Sequence, residues 1–164
     1  MRLVNFTFDS STCIGIAGHP CYLDLHGIYG WQNVTYLPEQ RRIMLTWTGP
    51  SKDQLWPDLS PDVAARLNSL PPVVTLEFRG VSRFAASPND PEMPYEEDTC
   101  LDSVTLAPPE HTSDKREFKI FRSDSGHVAF LFRSGFGLKI WAEEAELIYD
   151  EAAQPVAGAK HRRG

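Results

Sequence analysis

The sequence predicts a mainly β fold, an antiparallel sandwich or open barrel of about nine strands with one short helix. Three observations carry that expectation: apolar residues recur with period two, turn-forming residues separate the runs, and only one segment has helical spacing. In Arg42 to Thr48, Ile43, Leu45 and Trp47 alternate with Arg42, Met44, Thr46 and Thr48. Val73 to Arg79 repeats the pattern with Val74, Leu76 and Phe78 inward. His127 to Arg133 is apolar on both faces and reads as a central strand buried on both sides. Shorter strands are expected at Leu3 to Phe8, Trp31 to Tyr36, Leu101 to Leu106, Phe118 to Phe121, Leu138 to Trp141 and Glu146 to Tyr149.

Pro38 presets its own φ in the turn Leu37 to Gln40, and Gly126 and Gly135 serve the reversals after Ser123 and Ser134. The last four strands therefore read as a meander of antiparallel neighbours. The helix starts at Ser60 as N-cap, with Pro61 in the first turn and Asp62 favourably placed against the helix dipole. Val63, Leu67 and Leu70 share one face, and Pro71-Pro72 end it. Residues 1–150 are expected to be one domain, followed by a flexible tail over 151–164.

Composition narrows the classes of function. With 164 residues, 41% hydrophobic and 23% charged, the chain has an ordinary globular make-up. The start, MRLVNFTFDS, interrupts any apolar run with Asn5, Thr7 and Asp9, so no export signal is read there, and no stretch is apolar enough to span a bilayer. Three cysteines, an odd number, suit reduced thiols and a cytoplasmic location. The net charge of −6 equals the charge of residues 90–102 alone, where Asp90, Glu92, Glu96, Glu97, Asp98 and Asp102 meet no Lys or Arg. Without a positive excess the chain lacks the footprint of a nucleic-acid binder. Its one basic cluster, Lys160 to Arg163, reads as a solvated tail.

Four candidate sites follow. Cys13, His19, Cys21 and His26 are soft-metal ligand types, but their spacing fits no zinc framework, and no metal or other cofactor is expected. The acidic segment lacks the residue order of a calcium loop. It reads as a solvated loop, or as an epitope steering a basic protein partner. Phosphate loops, nucleophile elbows and zinc-protease motifs are all missing from the sequence, and the adjacent carboxylates Glu96-Glu97 and Glu143-Glu144 point apart in extended chain, so the chain reads as non-enzymatic. Among the aromatic residues, Trp47 and Trp141 are expected in the core, and Trp56, beside Pro57, as an exposed anchor for a partner or for the helix.

Leu25 to Trp47 and the later runs VTLEFRGV, CLDSVTL and AFLFRSGFGLKIWA resemble small bacterial all-β proteins of unknown function, some of them suspected immunity proteins of polymorphic toxin systems. Those proteins often carry Phe-His-Asp before a strand and hairpin. The matching triplet here is Leu25-His26-Gly27, which keeps the His. The resemblance implies a protein-binding role of immunity type. The competing expectation is a small-ligand binder or enzyme with a pocket in a barrel mouth, lined by His26, Tyr29 or Arg79.

Overall fold

The computed structural model describes residues 1–18, 21–49, 59–107 and 126–149. The chain is mainly β, with 54% of the described residues in strands and 12% in helical conformations. Twelve strands lie in three sheets among the described residues: β1 (Arg2–Val4), β2 (Phe6–Phe8), β3 (Gly15–Gly18), β4 (Tyr22–Asp24), β5 (Gly30–Leu37), β6 (Arg42–Thr48), β7 (Val73–Arg79), β8 (Arg83–Ser87), β9 (Leu101–Ala107), β10 (His127–Phe132), β11 (Gly137–Trp141) and β12 (Glu144–Tyr149). The five-stranded sheet has the order β1-β12-β7-β6-β5, the four-stranded sheet β8-β11-β10-β9 and the small sheet β2-β3-β4. Among the described residues no sheet closes into a barrel, and the two large sheets fit a sandwich.

Alternation explains the core. Ile43, Leu45 and Trp47 of β6 stand opposite Phe78, Leu76 and Val74 of β7, and all six are fully buried. From the facing sheet, β10 contributes Phe130, whose ring lies 5.8 Å from Trp47 and 6.2 Å, edge on, from Phe78. As its two-faced apolar pattern predicts, β10 is an interior strand, and His127, Ala129 and Phe132 are buried along with Val128 and Phe130. The small sheet lies beside one flank. Phe6, Ile16 and Leu23 enter the common core, Phe8 meets Phe130 edge to face, and the Val104 N–H of β9 donates to the Cys13 carbonyl.

Three expectations are corrected. The last strands do not form one meander: β10 and β11 pair, but the chain then leaves that sheet, and β12 pairs antiparallel with β7 and parallel with β1. Local turn signals locate a reversal without naming the next strand's partner. Trp141 is not in the core. With Leu138 and Ile140 inward, pleating turns Trp141 outward, where it stacks on His127 at 4.2 Å beneath the Arg83 guanidinium. The helix α1 (Pro61–Asn68) sits where expected, but Val63 is 43% exposed and none of its residues is buried. Ser60 caps it through its carbonyl, which accepts from the Ala64 N–H, while its hydroxyl makes no cap bond. The expected strand Phe118 to Phe121, the turn residues 123–125, Trp56 and the tail 151–164 lie outside the described residues.

Candidate functional site

The acidic segment is tied down along its length. Asp90 folds back on itself, its carboxylate accepting from the Glu92 N–H at 3.0 Å and its carbonyl from the Met93 N–H at 3.1 Å. This is the local ring an Asp offers to a turn. Pro94 then opens a short 3₁₀ turn, Tyr95–Thr99, in which the Glu97 N–H donates to the Pro94 carbonyl and the Cys100 N–H to that of Glu97.

The β10–β11 reversal supplies the anchor. Gly135 takes φ +80°, a left-handed conformation open to glycine at little cost, and its N–H closes on the Phe132 carbonyl. The reversal thereby offers the Ser134 carbonyl to the Asp90 N–H at 2.7 Å. Arg133 completes the attachment: its N–H donates to the Cys100 carbonyl at 3.0 Å and its Nε to the Glu97 carboxylate at 3.0 Å. Asn89 donates from its side chain to Asp98 at 3.3 Å. The segment is solvent-exposed over most of its length and is held at these points. Its charge nevertheless persists, because Arg133 offsets one carboxylate while Glu92 and Asp102 remain exposed. The Glu96 side chain lies outside the described residues.

His26 joins this assembly. Asp24 accepts the N–H groups of His26 and Gly27 at 2.9 and 2.8 Å, making a tight turn that swings the imidazole toward β9. Its Nδ1 bonds the Leu101 carbonyl. A carbonyl only accepts, so Nδ1 carries a proton in this contact. Cys100 lies alongside, with Sγ 4.0 Å from Nδ1 and its thiol directed to the His26 carbonyl at 3.7 Å. A protonated Nδ1 cannot take the thiol's proton, so this contact is not an activated Cys-His pair. Sequence reasoning named His26 and the acidic residues separately, and the fold brings them together across 75 positions. It missed Asn89, Arg133 and Ser134, for which no sequence motif exists.

The other candidates do not converge. Cys21 lies in the field of Arg66 on α1, and burial pushes its thiol pKa up. Tyr29 is buried, with its hydroxyl donating to the Pro71 carbonyl and its pKa raised by desolvation. Arg79 pairs with Glu77, Glu144 and Glu146 on the outer face of the five-stranded sheet. The three polar groups expected in a barrel mouth thus serve three different places. Among the described residues no group of three or more His, Cys, Asp or Glu is arranged to hold a metal ion, and His19 lies outside them. A recess lined by Ala85, Ala86, Ser87, Gly137 and Lys139 has a volume of about 140 Å³. Small-molecule sites usually need roughly 300 to 1,000 Å³.

One more feature borders the acidic turn. β5 is an edge strand, and the turn lies alongside it. At one end Trp31 packs on Phe132 and Phe136, with ring centroids 4.8 and 5.4 Å away, and at the other Tyr36 meets Phe84 at 5.7 Å. Tyr36 is still 47% exposed. Compared with known families, curated proteins and solved structures, the chain matches no family model, no curated sequence and no solved structure.

Proposed function

We propose that the protein is a non-enzymatic binding domain whose acidic segment, 90–102, covers a basic surface on a protein partner. The observation that supports this is the anchoring of the segment by Arg133, Ser134 and Asn89. A fixed array of carboxylates meets a cationic partner without first losing chain entropy, and it steers the encounter over about a screening length. The form implied by the resemblance, an immunity-type protein masking a toxin's basic surface, is this reading with a named partner class.

A nine-residue peptide of alternating Lys and Val serves as the probe, titrated calorimetrically against the full chain. Affinity is expected to fall steeply between 0.1 and 1 M salt, over which the screening length shrinks from about 10 to about 3 Å. It is also expected to fall at least tenfold on reversing Glu97 and Asp98 to Lys. Affinity indifferent to both salt and charge reversal would sink the reading.

A further inference from the structure

Neighbouring strands give their backbone groups to one another, so a sheet's exposed edge is a row of unused donors and acceptors, and proteins blunt such edges with charge, proline, bulges or brevity. β5 has little of this protection. It is eight residues long, and Gly30-Trp31-Gln32-Asn33-Val34-Thr35-Tyr36-Leu37 contains neither a charged residue nor a proline. Its single irregularity is a register shift at Gln32, beyond which Asn33 to Leu37 pair regularly with Thr46 to Arg42 of β6. In an antiparallel ladder alternate residues direct their N–H and C=O groups away from the partner. On that far side β5 makes no backbone hydrogen bond among the described residues.

The surroundings of the edge are chemically one-sided. Beside it runs the acidic turn, from a segment that holds six carboxylates and no base. Arg41 and Arg42, which follow the strand's other end, are paired with Glu143 and Glu77. Facing the second sheet is the half-open pair Tyr36 and Phe84. An incoming strand would therefore find main-chain partners along Asn33 to Leu37, apolar contact on its inward face and negative charge at its flank.

We infer that the free edge of β5 is a strand-docking site, and that its occupant is an extended segment of a partner protein in which basic and apolar residues alternate. The inference rests on the proposed function and specifies how the partner is held: main-chain bonds to β5 give affinity, Tyr36 and Phe84 take the apolar side chains, and the acidic segment selects the basic ones.

The test uses the full chain and the alternating Lys-Val peptide, with two further versions N-methylated at alternate residues in opposite registers. Methylation in one register blocks every amide facing β5, and in the other leaves them intact. A one-residue slip cannot rescue the blocked peptide, because it would turn the valines to water. Amide resonances of Asn33 to Leu37 are expected to shift and gain exchange protection with the parent peptide. One methylated version should bind like the parent and the other at least tenfold more weakly. Thr35→Lys, at an exposed position, should weaken binding several-fold with an unchanged circular dichroism spectrum. Equal binding of both methylated peptides, with shifts confined to residues 90–102, would overturn the docking site and leave the charge reading standing. No binding of any peptide would overturn both. A free protein that sediments as a dimer with β5 amides already protected would also overturn the inference, since the edge would then belong to a second copy.

Discussion

The five-stranded sheet ends differently on its two sides, and the contrast shows how an edge is made safe. On one side β1 is three residues long, is paired in parallel with β12, and carries Arg2 in an ion pair with Glu144. Beyond it the chain does not continue straight, because Asn5 adopts φ 58°. The Asn5 side chain then takes over the ladder: its amide donates to the Leu147 carbonyl at 2.9 Å, and its carbonyl accepts from the Leu147 N–H at 3.1 Å. A side-chain amide thus stands in for a missing strand residue. On the other side β5 is eight residues long and uncharged, and among the described residues it has the acidic turn beside it but no backbone mimic on its far side. Brevity, charge and a backbone mimic close one edge; that none of the three protects β5 among the described residues supports the proposed docking there.

Substitutions across the sheet rank these features. Leu76→Ala, at the fully buried centre of β7, sets the scale of a core loss and is expected to cost about 2–5 kcal/mol in urea unfolding. Asn5→Ala should cost about 2 kcal/mol, since it strands both Leu147 backbone groups and puts alanine in a left-handed conformation. Asn5→Gly separates the two causes: glycine tolerates the backbone, so any remaining loss belongs to the hydrogen bonds, and the Leu147 amide should exchange faster in both variants. If both variants match the wild type, the backbone mimic contributes nothing and the contrast between edges weakens.

Arg2→Ala should have the smallest effect of these substitutions, with its loss full at neutral pH and fading in acid. The Arg2 hydrogen bond, aided by Arg79, holds the Glu144 carboxyl below its ordinary value of 4.5. Below 4.5 the unfolded chain takes up this proton more readily than the folded one, so the stabilisation is complete above that pH and is lost as pH falls beneath it. Without Arg2 that decline should be shallower, which urea midpoints between pH 5 and pH 2 would measure. An identical acid limb in the variant would show that the edge pair carries no weight.

Much of the sandwich was legible because burying one face of a strand imposes period two on its residues. The strands at Arg42, Val73 and His127 follow from that alone. β3, β4 and β8 were not legible, for a local reason: Gly-Ile-Ala-Gly, Tyr-Leu-Asp and Arg-Phe-Ala-Ala-Ser are too short or too small to alternate visibly. Partner choice was hidden too, because the turn before β12 has the same chemistry whether the chain stays in its sheet or changes to the other. The site was half legible. Charge counting found the acidic segment, but its order depends on Arg133 and Ser134, more than thirty positions away in sequence from Glu97 and Asp90. The open edge left no sign, since a strand's neighbours are decided by the whole topology.

The parallel pair of β1 and β12 also fixes an order of events. Arg2 lies opposite Glu144, 142 positions later, so the first strand emerges from the ribosome with its partner not yet made. At about 5–20 residues per second that interval is on the order of ten seconds, during which β5, β6 and β7 can pair through much shorter loops. β12, made last of the five, lies between β7 and β1 and completes the sheet. A sheet so dependent on distant pairing belongs among the slow folders. During that interval the unprotected stretch is the amino-terminal one, while β5 already has β6, its one strand neighbour among the described residues.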